Sequence, residues 1–207
     1  MPTTISVPVP KSRQKKHKAS FVLKCDVKKY FDSVVHDILI GLIKNKITDE
    51  NAIWLINKII ESYLTLPGKG IPLGNITSQI FANIYLNEVD KFIKHKLKIK
   101  YYIRYCDDFL ILDNNKNYLE KIIFAIKTFL ERKLRLCLHE KKISIKEFRQ
   151  GIDFLGYVSF PHYKILRNKT KKKMFRRLKE NKSLETLKSY LGVLKHCNSY
   201  KLILKLS

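Results

Sequence analysis

The chain has 207 residues, 45% hydrophobic and 11% aromatic, which is enough for one substantial core and excludes wholesale disorder. Forty-two Lys+Arg against 18 Asp+Glu give a formal net charge of +24, a balance that favours a polyanionic partner, nucleic acid above all, because each phosphate neutralised releases condensed counterions. No membrane partner is expected, since the longest charge-free run, Gly70–Asn87, is interrupted by Asn, Thr, Ser and Gln.

Met1–Ser20 carries three prolines and then KSRQKKHK, with five positive charges and no apolar periodicity. It is expected to be an extended basic arm lying on phosphates. Its opening MPTTISVPVP has neither the basic start nor the apolar core of a secretion signal, so a cytoplasmic protein is expected. Cys25, Cys106, Cys137 and Cys197 lie far apart without a CxxC pair, which argues against a disulfide framework or zinc knuckle.

Phe21–Asp26, FVLKCD, predicts a strand ending on a carboxylate, and Asp32–Ser33 is placed to cap a helix starting near Val35. Ile38–Ile47 and Asn51–Leu64 show apolar residues at helical spacing, with Thr48–Asp49 as the cap between them. Leu66–Thr77, LPGKGIPLGNIT, holds three glycines and two prolines and predicts a loop whose backbone can approach a ligand closely. Ser78–Lys98 reads as a long amphipathic helix with a basic end.

Tyr101–Tyr105 and Phe109–Leu112 each predict a strand, with Cys106, Asp107 and Asp108 at the tip of a hairpin. Tyr118–Leu134 predicts another helix, followed by two short apolar runs, Leu136–Leu138 and Ile143–Ile145, that bracket His139–Lys142. Gly151–Phe160 and Tyr163–Arg167 predict a second hairpin turned at Pro161–His162. From Lys164 to Lys182 ten residues are positive and one is acidic, interleaved with Met174, Phe175 and Leu178, the pattern of a helix that faces nucleic acid. This order of elements predicts an α+β fold whose largely antiparallel sheet is backed by helices on one face. Three parts are expected: the arm over 1–20, a main domain over 21–167, and a small helical tail over 168–207.

An Asp-Asp pair between strands is commonly no more than a turn dipeptide, and Asp26 alone is equally a turn residue. If the hairpin lies beside the first strand, however, Asp26, Asp107 and Asp108 converge. Oxygen ligands without His or Cys select a hard cation, Mg²⁺ or Mn²⁺, and two such ions about 4 Å apart stabilise both oxygens of a phosphoryl transfer. Tyr30 and Phe31, four and five residues beyond Asp26, are placed to wall a nucleotide pocket, which suits a nucleotidyl transferase better than a nuclease.

Five segments extend this reading. KCDVKKYFDSV resembles the first catalytic motif of reverse transcriptases, IPLGNITSQIFAN their second, YCDD their catalytic hairpin, LHEKK their lysine motif and FLGY their primer-grip region. The form LGNITSQ is similar to that of diversity-generating retroelements, with group II intron and retron enzymes as close relatives. The resemblance implies a polymerase palm with a short thumb-like tail, and an RNA-directed DNA polymerase that extends a DNA primer on an RNA template with deoxynucleotide triphosphates. It also implies two Mg²⁺ ions, replaceable by Mn²⁺, held by Asp26, Asp107 and Asp108, and an accessory protein of the retroelement as a further partner. Lys142, or Lys141, matches the lysine that protonates the pyrophosphate leaving group, and Phe31 the bulky residue that excludes a 2′-hydroxyl. Tyr105 corresponds to a position near the primer terminus, and Leu73, Gly74, Ser78 and Gln79 to positions around the incoming base pair and template. Only 25 residues precede Asp26, so the fingers region is expected to be largely missing. A truncated palm that binds RNA or DNA without extending a primer is the alternative.

Overall fold

The computed structural model describes residues 21–63, 65–181 and 183–204; the expected basic arm, Met1–Ser20, lies outside them. The described chain forms two compact units that divide between Ile145 and Lys146.

The first unit is built on a mixed sheet and helix arrangement. Strand β1 (Phe21–Asp26) pairs antiparallel with β3 (Asp108–Asp113), which pairs antiparallel with β2 (Tyr101–Tyr105); β4 (Ser144–Glu147) completes the order β2-β3-β1-β4. Alternation along the strands sends Leu23, Cys25, Phe109 and Ile111 to one face, where they share a core with the helices α2 (His36–Lys44), α3 (Glu50–Glu61), α4 (Ile76–Lys91) and α5 (Lys116–Phe129). The opposite face carries Val22, Leu110 and Leu112, also buried, together with Lys24, Asp26 and Asp108. The charged residues of that face thus gather toward the end of the sheet where Asp26 pairs with Asp108.

Capping follows the sequence at α3, where Asp49 Oδ1 accepts from the Ala52 N–H at 2.7 Å. It fails at Asp32–Ser33: these residues lie in a separate one-turn helix, α1 (Tyr30–Ser33), Ser33 Oγ donates to Lys28 O, and α2 starts from Val35 without a side-chain cap. The helix expected from Ser78 begins two residues earlier, at Ile76. Both long helices end in a π-helical turn, Phe92–Lys96 after α4 and Leu130–Leu134 after α5. Phe92 and Phe129, at the two junctions, stack at a centroid distance of 4.2 Å. Each π turn closes through a left-handed non-glycine residue, Lys98 or Arg135, with Ile99 N–H returning to Ile93 O and Leu136 N–H to Leu130 O.

The second unit contains three antiparallel strands, β5 (Ile152–Phe154), β6 (Tyr157–Ser159) and β7 (Lys164–Leu166). Gly151–Phe160, expected as one strand, is itself a hairpin. Its two-residue loop, Leu155–Gly156, has φ 52° and 84°, the doubly positive pattern that matches strand twist. Three helices follow: α6 (Asn168–Glu180), α7 (Leu184–Leu194) and α8 (Tyr200–Ile203). Met174 is fully buried with Leu166 and Leu194, and Phe175 and Leu178 pack against that cluster. The apolar residues of α6 therefore serve the core, and its lysines and arginines occupy the other face. Among the described residues no helix is long and apolar enough to cross a membrane, and all four cysteines are free.

Candidate active site

One row of side chains crosses three strands at the end of the sheet. Tyr105 on β2 stands opposite Asp108 on β3, and Asp108 stands opposite Asp26 on β1. Directly paired residues project to the same face, with Cα atoms about 4.5–5.5 Å apart. Asp26 is 6% exposed, Asp108 is half-buried and Tyr105 is exposed. The hairpin tip is tighter than expected: Cys106 and Asp107 alone form the loop, with Cys106 at φ 50°, and Asp108 already belongs to the strand. Asp107 O accepts from Val27 N–H at 3.3 Å, so the tip is tied to the chain leaving β1.

The lysine motif reaches this row through backbone contacts. Lys28 N–H donates to Cys137 O, His139 N–H donates to Asp26 O at 2.8 Å, and Val27 bridges Leu138. A 3₁₀ turn, Glu140–Lys142, then delivers Lys142 Nζ to 2.7 Å from Asp26 Oδ2. Lys142, and not Lys141, makes this contact. The Asp26 carboxylate holds the Lys142 ammonium above its ordinary pKa. Burial raises Asp108, with Asp26 and Asp107 adding repulsion and Lys24 opposing them; burial also raises Asp107, partly offset by a backbone N–H and by Lys142.

The glycine loop docks behind the first motif. Ile71 N–H donates to Phe31 O, Gly70 N–H to Val34 O, Thr65 Oγ1 to Asp32 O, and His36 Nε2 lies 2.6 Å from Gly70 O. Gly70 sits at φ 101°, and a Cβ there would lie 2.7 Å from Thr65 Oγ1, so glycine is required. Beyond this anchor Leu73, Gly74 and Gln79 are exposed, Leu73 by 70%. Phe31 is half-buried against the core.

Two of the expected substrate-contact residues lie inside the fold instead. Tyr30 is 2% exposed and its hydroxyl donates to Ala82 O at 2.6 Å, which joins the first motif to α4. Ser78 is 1% exposed, and its Oγ has no partner among the described residues. Helix periodicity turns Ser78 inward with Ala82 and Tyr85, a consequence of the earlier start of α4.

Sequence reasoning passed over Arg104 and Asp90. Arg104 Nε and Nη2 donate to the two Asp90 oxygens at 2.8 and 2.5 Å, Nη1 donates to Cys106 O at 3.0 Å, and Tyr102 OH donates to Asp90 Oδ1 at 2.6 Å. An arginine inside the strand YYIRY was the available signal, because a largely buried guanidinium needs a carboxylate.

As a donor set for a cation, Asp26, Asp107 and Asp108 are all oxygen, and the burial that raises two of them, with mutual repulsion added, calls for positive charge nearby. Lys142 supplies one such charge at Asp26. Among the described residues no three His, Cys, Asp or Glu side chains are gathered as a ready metal-holding group.

An antiparallel sheet with carboxylates across its open end and helices behind it is the palm fold of polymerases. The family description "reverse transcriptase (RNA-dependent DNA polymerase)" matches residues 3–159, and the chain belongs to that family. It is 29% identical over 207 aligned residues to the group II intron-encoded protein LtrA of Lactococcus lactis subsp. cremoris, covering 67% of this chain and 35% of that protein. It is 24% identical over 200 residues to a putative COX1/OXI3 intron 2 protein of Saccharomyces cerevisiae, covering 67% and 23%. The chain thus spans about a quarter to a third of the length of these two relatives. A telomerase of Candida tropicalis in complex with the TWJ fragment of telomeric RNA shares the fold with a TM-score of 0.57 at 16% identity, over 92% of this chain and 40% of that one.

Proposed function

We propose that the chain is the catalytic palm of an RNA-directed DNA polymerase, which extends a DNA primer on an RNA template with deoxynucleotide triphosphates. The observation that carries this reading is the row Tyr105–Asp108–Asp26 with Lys142 paired to Asp26 across 116 residues of sequence. A simple turn residue at Asp26 has no need of a lysine brought from so far away.

In this reading Asp26, Asp107 and Asp108 hold divalent magnesium, or manganese. Ions bound there supply positive charge to the attacking and leaving oxygens of phosphoryl transfer. Lys142 holds a proton at Nζ beside the row, which it gives to the departing pyrophosphate. Phe31, whose carbonyl accepts from Ile71 N–H, is the bulky residue that would exclude a 2′-hydroxyl, so deoxynucleotides would be selected. The exposed backbone of Leu73 and Gly74 faces the incoming base pair with Gln79, and Tyr105 packs near the primer terminus. Tyr30 and Ser78 support this surface from inside. The net charge of +24, with the basic face of α6, suits the phosphate backbones of template and primer. LGNITSQ supports a place among diversity-generating retroelements, with an accessory protein as a partner.

The test is primer extension on an RNA template with magnesium, comparing the chain with its Asp107→Asn, Asp108→Asn double variant. Incorporation that disappears in the variant is expected. An unmutated chain that binds RNA but incorporates nothing would overturn the polymerase reading in favour of a palm that only binds.

A further inference from the structure

Asp107 and Asp108 are placed by a two-residue loop that is locally unfavourable. Cys106 sits at φ 50°, a left-handed conformation that costs a side-chain-bearing residue about 1–2 kcal/mol, so the loop holds this shape only if its surroundings impose it. Two contacts do so, on consecutive carbonyls. Asp107 O is held from the β1 side by Val27 N–H, and Cys106 O is held by Arg104 Nη1. The first contact ties the tip to the strand that carries Asp26. The second ties it to α4.

Arg104 reaches the loop from behind the carboxylate row. It pairs with Phe109 in the strand register, one residue out of phase with Tyr105 and Asp108, and so projects to the helix face. There its side chain is 10% exposed. Asp90 takes Nε and Nη2 together, Tyr102 OH completes Asp90 Oδ1, and Asn83 Oδ1 lies 3.3 Å from Nη1. Burial and the Asp90 carboxylate push the Tyr102 phenol up, which keeps it a donor. With the guanidinium plane fixed at two points by one carboxylate, the directions of the two Nη1 N–H groups are set; Nη1 lies 3.3 Å from Asn83 Oδ1 and 3.0 Å from Cys106 O.

We propose that Arg104, oriented by Asp90 and Tyr102, is the positioning residue of this site, holding the Cys106–Asp107 loop so that Asp107 and Asp108 stay in line with Asp26. The proposal deepens the polymerase reading and rests on it for the meaning of that alignment. A lysine cannot replace Arg104, because one ammonium cannot span the two Asp90 oxygens and the Cys106 carbonyl in fixed geometry.

The alternative is that the pair merely fastens β2 to α4. The discriminating experiment uses the whole chain with Arg104→Gln, Arg104→Lys and Asp90→Asn, and reads two things. One is the rate of alkylation of Cys106 followed by peptide mass spectrometry, with buried Cys25 as the marker of general opening. The other is kcat and KM for deoxynucleotide in primer extension. In Arg104→Gln, Cys106 labelling rises about tenfold while Cys25 stays protected, the signature of local opening. kcat falls on the order of 100-fold, the cost of a misplaced reacting group, with KM within about twofold. Arg104→Lys recovers little, and Asp90→Asn moves both readouts the same way by less. Parental Cys106 labelling with parental kcat overturns the proposal. So does joint labelling of Cys106 and Cys25, which marks a fastener of the whole fold. If the unmutated chain extends no primer while Cys106 alone opens in Arg104→Gln, the loop clamp stands and the polymerase reading falls.

Discussion

Replacing Asp108 with Asn should stabilise the metal-free protein. Asp108 stands directly opposite Asp26 and next to Asp107, and its carboxyl is raised from the ordinary 3.8 by burial first, with Lys24 opposing and Asp26 and Asp107 adding repulsion. A carboxyl raised by folding contributes stability that is complete below its unfolded value and lost as pH rises through the folded value. At neutral pH the ionised group therefore costs stability. Two unit charges about 5 Å apart repel by roughly 3 kcal/mol at an effective dielectric of 20 and by less than 1 in water. Asp108 is only partly buried, so the lower part of that range applies, about 1 kcal/mol after screening. For a chain of this size that corresponds to a rise in Tm of about 2–4 °C. Thermal melts in EDTA at pH 7 should show this gain for Asp108→Asn, and the gap to the parent should close as pH approaches 4. If the proposed metal site holds, the order should invert with magnesium, because an ion at ten times its Kd would stabilise the parent by about 1.4 kcal/mol and the variant by less. A variant that melts below the parent in EDTA at pH 7, or a gap that widens on acidification, would refute the penalty that burial and repulsion place on the ionised carboxyl.

Gly151 has φ 82°, and a Cβ there would meet the Phe160 ring and Val158 Cγ1 at 2.7 Å. Gly151→Ala should cost about 2–4 kcal/mol in denaturant unfolding, against about 1 for Gly68→Ala, whose site is open at φ 69°. Tyr85→Phe removes a hydroxyl that donates to Leu134 O at 2.7 Å and accepts from Val35 N–H, so it should lose about 1–3 kcal/mol. Tyr30→Phe should lose less, because Ala82 O keeps its place in the α4 ladder; equal losses would contradict this. Burial pushes the Cys25 thiol up to about 12 from 9.0. Its contribution is complete below pH 9 and lost toward pH 12, on the order of 4 kcal/mol, so Cys25→Ala should flatten the alkaline arm of a stability profile. At pH 8 exposed Cys137 should be alkylated while Cys25 stays protected.

The strand, hairpin and helix pattern of the first unit could be read from the sequence because it is local. Short runs of apolar, aromatic and β-branched residues marked FVLKCD and YYIRY, helical spacing marked α2 to α5, and the Asp49 cap stood where its residue type predicts. What escaped depends on partners remote in the chain. Asp32 and Ser33 were plausible caps until Thr65 Oγ1 took the Asp32 carbonyl and Ser33 turned to Lys28. Ser78 and Tyr30 looked like ligand contacts because motif order gives no facing, and facing is set by where α4 starts and what packs on it. The Arg104–Asp90 pair spans 14 residues and two element types, so no single-element periodicity reports it. The Leu155–Gly156 turn could have been found, since a glycine after a bulky residue between two short β-rich runs marks a two-residue hairpin.

The charge balance and the carboxylate row pull against each other, and the sheet is what reconciles them. A chain with 42 Lys+Arg has the charge to attract a polyanion, while in the proposed function three neighbouring aspartates would repel the same phosphates where they arrive. Were the aspartates free to swing, each would find a lysine and the row would collapse into ordinary surface ion pairs. Cys106 O and Asp107 O are both held by hydrogen bonds, and Asp26 lies 6% exposed at the end of a buried strand, so the row keeps its geometry. Lys142 reaches the Asp26 carboxylate through a side chain about half exposed and so able to swing away. Rigid acceptors facing a mobile cation are what a site needs if it is to exchange that cation for the charge arriving with a nucleotide. A loosely held row would keep the metal-free stability and lose the exchange. On this ground mutations that free the loop should make the metal-free protein more stable at neutral pH relative to its magnesium-bound form, and that difference is measurable in paired melts without any turnover.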